Sequence, residues 1–231
     1  ATIAATAGQD LVTVNLASYA TDVDTAAGSL VYTLSSATTA KGGAVTLSGS
    51  TATIVYPEGG GVAALGADTF SFTVKDGVNP AVTATVNLNI TDTAPVATDF
   101  ALSAKTGVTQ TVDLTGKATD ADGNTLTPVV TIGSVSAGGS AEVINGKIVY
   151  TSTIGYVGTE TVKYTVTDGF GGTSNEATIT FTVAANTGGT SGDDLLYGST
   201  AAEAIDGLAG NDTINGGGGL DNYSEIFHQD A

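Results

Sequence analysis

Through the first 185 residues, apolar and polar residues alternate in short runs, and turns rich in glycine or aspartate separate the runs. A strand points successive side chains to opposite faces, so each run reads as a strand with one face buried. The alternation predicts strands over 11–16, 30–34, 44–47, 52–56, 69–74 and 82–90, then over 110–114, 129–132, 141–143, 147–150, 160–166 and 176–183. No window shows the 3.6-residue apolar period of a helix. Alanine, glycine, threonine and valine dominate, which suits many short strands and tight turns. The expected class is all-β.

The two sets of strands belong to an internal repeat. GADTFSFTVKDG (66–77) aligns without a gap on GTETVKYTVTDG (158–169), and YATDVDTAAGSLVYTL (19–34) matches KATDADGNTLTPVVTI (117–132) across a small loop difference. The offset of about 92 residues is a normal size for a β-sandwich. ITDTAPVATDF (90–100), with Asp92 and Asp99 near its ends, closes copy one and opens copy two. Copy one has no equivalent of this segment ahead of it, so its first strand is expected to be missing, leaving an open edge.

From Gly189 to Ser224 the period changes to nine: GTSGDDLLY, GSTAAEAID, GLAGNDTIN and GGGGLDNYS follow without a gap. Position one is always glycine, position six is Asp194, Glu203, Asp212 or Asp221, and position eight is Leu196, Ile205, Ile214 or Tyr223. Calcium takes six to eight oxygen ligands, carboxylates and carbonyls among them. Glycine reaches the backbone angles that aim carbonyls inward. The run resembles the nonapeptide repeats of RTX proteins, which wind into a calcium-filled parallel β-roll. The resemblance implies one turn per two nonapeptides, position-six acids as ligands and position eight inside. It also implies export by a type I secretion system.

The two copies resemble the cadherin-like repeats of large bacterial surface proteins and adhesins. The residues that carry this are T-D-x-D (Asp22 and Asp24; Asp120 and Asp122, followed by Gly123 and Asn124) and a late D-G (Asp76 and Gly77; Asp168 and Gly169). Carboxylates two residues apart converge on one ion if the chain turns at the following glycine. Asp22, Asp24, Asp76, Asp120, Asp122, Asn124 and Asp168 are therefore candidate calcium ligands. The same residues serve equally as turn formers that bond their own backbone, and the sequence leaves both roles open.

Six lysines and no arginine stand against 23 acidic residues, a net charge of −17. Nucleic acid and anionic membranes, which need clustered cations, are excluded as partners, whereas divalent cations relieve carboxylate repulsion. There is no cysteine, and the one histidine, His228, stands outside every repeat, so histidine triads and His/Cys zinc sites are excluded. With no tryptophan, and with Tyr56, Tyr150 and Tyr164 inside strand patterns, a sugar-cleaving cleft has no platform. The chain is not expected to be an enzyme. No apolar run approaches the roughly 18 residues of a membrane span, and the lack of methionine reads as a processed product or a piece of something longer.

The expected organisation is a sandwich over 1–93, a second over 94–186, a nonapeptide roll over 187–224 and a tail over 225–231. The expected function is a calcium-dependent extracellular spacer or adhesive stalk on a bacterial surface. Calcium and neighbouring repeats or identical copies are its partners. A self-assembling filament or surface-layer subunit and a module binding cell-surface glycan are the alternatives.

Overall fold

The computed structural model of the chain describes residues 2–24, 29–59, 61–131 and 134–225. Among these residues there is no α-helix; strands and turns are joined by short 3-10 turns such as Leu16–Tyr19. His228, and Ile132 at the end of one expected strand, lie outside the described residues.

Copy one contains β1 (Thr2–Thr6), β2 (Gly8–Asn15), β3 (Val31–Leu34), β4 (Ala44–Ser48), β5 (Thr51–Tyr56), β6 (Gly66–Lys75) and β7 (Val82–Thr91). They form two sheets, in the orders β1-β7-β6-β3 and β2-β5-β4. Alternate residues of β6 turn inward, burying Phe70 and Phe72, while β7 buries Val86, Leu88 and Ile90. Each large side chain taken fully out of water stabilises the fold by roughly 1.5–3 kcal/mol.

Copy two repeats the plan. Its strands are β8 (Val96–Ala97), β9 (Phe100–Lys105), β10 (Thr109–Val112), β11 (Ala118–Thr119), β12 (Thr127–Val130), β13 (Ser140–Ile144), β14 (Lys147–Thr151), β15 (Gly158–Thr167) and β16 (Ala177–Ala184). The sheets run β12-β15-β16-β9 and β10-β14-β13, and the short β8 pairs with β11. Tyr150 lies stacked on Phe181 in its interior, with ring centroids 3.7 Å apart. Tyr56, Tyr150 and Tyr164, placed inside strand patterns by the sequence, are core residues.

The edge expected to be open is occupied, although copy one has no counterpart of β8 among the described residues. β1 runs parallel to β7, with Ile3 opposite Leu88, just as β9 runs parallel to β16, with Leu102 opposite Phe181. The edge of β7 is thus covered rather than open.

Beyond copy two lie β17 (Leu195–Tyr197), β18 (Ala204–Leu208), β19 (Thr213–Asn215) and β20 (Asn222–Glu225). β17 pairs parallel with β19 and β18 parallel with β20. Leu196 faces Ile214 and Ile205 faces Tyr223, so the chain returns on itself every eighteen residues, two nonapeptides to a turn. Leu196 and Ile205 are buried, but Tyr223 is 55% exposed, so position eight is interior on the first rung and not throughout.

The chain divides into two compact units. One comprises Ala1–Val96 with the loops Thr119–Leu126 and Thr167–Ser174; the other comprises Ala97–Ala118, Thr127–Val166 and Asn175–Ala231. The two T-D-x-D and D-G loops of copy two therefore belong, by packing, with the residues of copy one.

Candidate metal centre

Within the first unit, three segments bring acids together. β7 ends at Thr91 and delivers Asp92; the loop after β11 carries Asp120, Asp122 and Asn124; the loop after β15 carries Asp168. Gly123 sits at φ +77°, the left-handed turn that folds Asp120, Asp122 and Asn124 back on one another. Asp120 Oδ1 accepts the N–H of Asp122 at 2.8 Å and that of Asn124 at 3.3 Å. Asp168 Oδ1 accepts the N–H groups of Phe170 and Gly172, both at 2.8 Å. Asp122 takes the Thr93 N–H at 2.5 Å and the Thr93 hydroxyl at 3.3 Å.

Asp120 and Asp168 thus each have one oxygen engaged in their own turn, and Asp122 has both engaged by Thr93. What the turn leaves over decides the chemistry. Asp92 Oδ1, Asp120 Oδ2, Asn124 Oδ1 and Asp168 Oδ2 are buried with no hydrogen-bond partner. Asn124 and Asp122 are each only 6% exposed. Buried oxygens without donors are costly, and carboxylates crowded together repel. Burial first, and then the charges of Asp168, Asp120 and Asp122, push the Asp92 carboxyl up to about 6. Oxygen-only donors, mostly anionic and lacking protein donors of their own, fit a hard divalent cation.

The equivalent residues of copy one behave differently. Asp22, Asp24 and Asp76 offer carboxylate oxygens that all lie within 4.8 Å of one another, the only trio of that tightness among the described residues. Asp22 and Asp24 are exposed and Asp76 is half-buried. Asp76 is engaged at both oxygens, accepting from the Val78 and Asn79 N–H groups and, at 2.6 Å, from the Asn79 side chain. These bonds, led by the Asn79 N–H, hold its carboxyl below the ordinary range. The trio is tighter and more exposed, whereas the Asp92 cluster is more buried and carries the unpartnered oxygens.

In the nonapeptides the position-six acids form two columns rather than one centre. Asp212 Oδ1 accepts the Asp194 N–H at 2.9 Å, and Asp221 Oδ1 accepts the Glu203 N–H at 3.1 Å. Asp212 Oδ2 is buried without a partner.

Residues 92–185 match the bacterial cadherin-like domain family, and residues 1–89 match the bacterial Ig domain family. The chain carries an Ig-like domain followed by a cadherin-like domain. No curated protein matches it. Among solved structures, an endo-fucoidan hydrolase of glycoside hydrolase family 107 is similar over 78% of this chain, at 16% identity and a TM-score of 0.36. The chain spans 27% of that enzyme's length. Human protocadherin-24 EC1-2 is similar over 68% of this chain and 82% of its own, at 16% identity and a TM-score of 0.31. Residues from 186 onward fall outside both matched families.

Two site residues escape a reading confined to the repeats. Asp92 follows the last strand of the Ig-like domain, where the junction's acidic ends are the signal. Glu58, in the turn after β5, accepts the Thr125 N–H at 2.7 Å and so anchors the Asp120–Asn124 loop. Asn124 also reaches back, donating from Nδ2 to the Ala7 carbonyl at 3.2 Å. Among the described residues no helix is long and apolar enough to cross a membrane.

Proposed function

We propose that this chain is a calcium-rigidified segment of a bacterial surface protein, serving outside the cell as a stiff spacer or adhesive stalk. Its parts are the sandwiches over 1–93 and 94–186 and an RTX-type roll over 187–224. The observation that carries the reading is the set of four orphaned, buried oxygens at Asp92, Asp120, Asn124 and Asp168. Asp122 completes the donor set, and Glu58 steadies the loop that presents it. A bound calcium ion neutralises the charge and supplies the positive partner that those oxygens lack.

The chain's own residues do the rest. With a net charge of −17, the carboxylates repel one another wherever divalent cations are scarce. Three loops distant in sequence meet at Asp92, so holding their acids together ties those loops into one rigid cluster. Binding to the folded state alone then stabilises it, by about 2.7 kcal/mol at a hundredfold excess over Kd. The period-nine pattern and the eighteen-residue parallel register support reading the last part as an RTX roll. That reading, with the families matched, supports an extracellular location.

The test is calcium titration with calorimetric melting of the wild type, D120N/D168N and D212N/D221N. Calcium is expected to raise the wild-type Tm, and D120N/D168N to lose most of that rise. A rise that both variants keep in full sinks the assignment of these residues, and no rise in the wild type sinks the calcium reading itself.

A further inference from the structure

The four nonapeptides share an opening glycine, a position-six acid and a position-eight apolar residue, yet the two rungs treat their position-six acids in opposite ways. On the first rung, position two is Thr190 and Ser199. Thr190 donates both its N–H, at 2.5 Å, and its hydroxyl, at 2.9 Å, to Asp194 Oδ2. Ser199 donates its N–H to Glu203 Oε2 at 3.0 Å and its hydroxyl to Glu203 Oε1. Each hydroxyl oxygen also accepts a position-four N–H, from Gly192 at 3.2 Å and from Ala201 at 3.0 Å. The carboxylate, the hydroxyl and the turn amides thus close a circuit within one nonapeptide.

On the second rung the circuit is absent. Position two is Leu208 and Gly217, neither of which has a hydroxyl. Their N–H groups turn away from the acid, to Asp206 Oδ1 at 3.1 Å and Asn215 Oδ1 at 3.0 Å. Asp212 is left with Oδ2 buried and unpartnered, and Asp221 Oδ2 is approached only by the Tyr223 hydroxyl at 3.4 Å.

The first rung has further support. Asn186 and Tyr197 exchange two backbone hydrogen bonds, Asp206 donates to the Thr187 carbonyl, and Gly189 donates back to the Asp206 carbonyl. Its interior residues Leu196 and Ile205 are buried. Such a rung is satisfied as it stands.

We propose that Thr190 and Ser199 are built-in caps that take the place of the cation on the first rung, so that this rung closes without metal and templates a second rung that closes only with it. The inference rests on the reading of the roll as a calcium structure and adds where in the roll that dependence lies. A metal-free first rung gives incoming chain a parallel edge at β17 and β18. The second rung's uncapped acids then make its docking conditional on the cation concentration outside the cell.

Hydrogen exchange on the full chain, in chelator and then in millimolar calcium, tests it. In chelator, peptides covering 187–206 are expected to stay protected while those covering 207–225 exchange freely. Calcium is expected to slow exchange in 207–225 by about tenfold or more. T190V/S199A is expected to lose the chelator-state protection of 187–206, and T190S/S199T, which keeps both hydroxyls, to retain it. If calcium protects both rungs together in the wild type, the cap proposal is overturned while the calcium reading stands. If both rungs are protected in chelator and calcium changes neither, the calcium reading of the roll is overturned instead.

Discussion

Tyr56 donates its hydroxyl to the buried carboxylate of Asp68 across 2.6 Å, and the pair recurs in the second sandwich as Tyr150 and Glu160. Asp68 is 3% exposed and also accepts the N–H groups of Lys41 and Thr69 at 2.9 and 2.7 Å. Glu160, wholly buried, accepts those of Ala137 and Gly139 at 3.1 and 2.9 Å. The acid thus pins the loop before β4 or β13 to the opposite sheet. Burial pushes the Asp68 carboxyl up, but hydrogen bonds from Thr39, Tyr56, Thr69 and Lys41 outweigh it and hold the carboxyl below its ordinary range. Burial and Asp68 push the Tyr56 phenol up, so it stays a donor at any working pH.

Removing the donor leaves a buried carboxylate oxygen unmet. Y56F and Y150F are each expected to cost about 1–3 kcal/mol, read as a lower urea midpoint. A carboxyl lowered by folding stabilises above its unfolded value and loses that contribution as pH falls through the folded one. The Asp68 share of stability therefore disappears below an ordinary value of 3.8. An unchanged midpoint in both variants would show that the pair does not hold the loop.

Phe170 and Val78 occupy matching places after the late D-G, yet Phe170 is 0% exposed and Val78 is 88% exposed. Phe170 packs in the apolar cluster that contains Leu16, Tyr56 and Ile90. F170A is expected to destabilise that unit by about 3–5 kcal/mol, whereas V78A stays within about 0.5 kcal/mol of wild type. Calorimetry of the two variants settles it; equal effects would mean that the Phe170 loop carries no core packing.

Much of this was legible along the chain. Strands such as Val82–Thr91 and Lys147–Thr151 carry branched or aromatic residues at alternate positions, and period two places them. β1 and β9 were missed because TIAAT and FALSAK bury mainly alanines, Ala5 and Ala104, which carry little strand preference. Asp120, Asp122, Asn124 and Asp168 were readable as ligand types. That Asp92 lies beside them, while Asp22, Asp24 and Asp76 meet in a separate and more exposed trio, was not. Residues so far apart in sequence meet only through folding, and burial decides which acids lack partners.

Asp92 sets a pH dependence with a definite sign. Its carboxyl is raised from 3.8 to about 6, by burial first and then by Asp168, Asp120 and Asp122. A raised acid stabilises the fold fully below its unfolded value and loses that contribution as pH rises through the folded one. Without calcium, this group therefore stabilises the protein more at pH 5 than at pH 7. Calcium must displace the same proton, so its apparent affinity is expected to fall below a pH of about 6. Melting in chelator and calorimetric titration across this range measure both slopes. D92N flattens the first; a wild-type affinity constant down to pH 5 contradicts the site.

The stacking of the rungs makes a last prediction, since glycine is required on one rung and not on the other. Gly219 sits at φ +98°, and a Cβ there would lie 2.5 Å from the Ala201 carbonyl oxygen of the rung it stacks on. Ala201 itself fills the same position of its own nonapeptide and is exposed. G219A therefore combines a left-handed backbone penalty of about 1–2 kcal/mol with a clash against backbone that has no rotamer to yield. A201G adds only chain freedom, costing roughly 0.5–1 kcal/mol at most. G219A is expected to abolish calcium-induced protection of 207–225 while both sandwiches melt as in the wild type; A201G keeps the protection. Hydrogen exchange with and without calcium reads the difference, and a G219A protein that still protects its second rung would mean the rungs do not stack backbone on backbone.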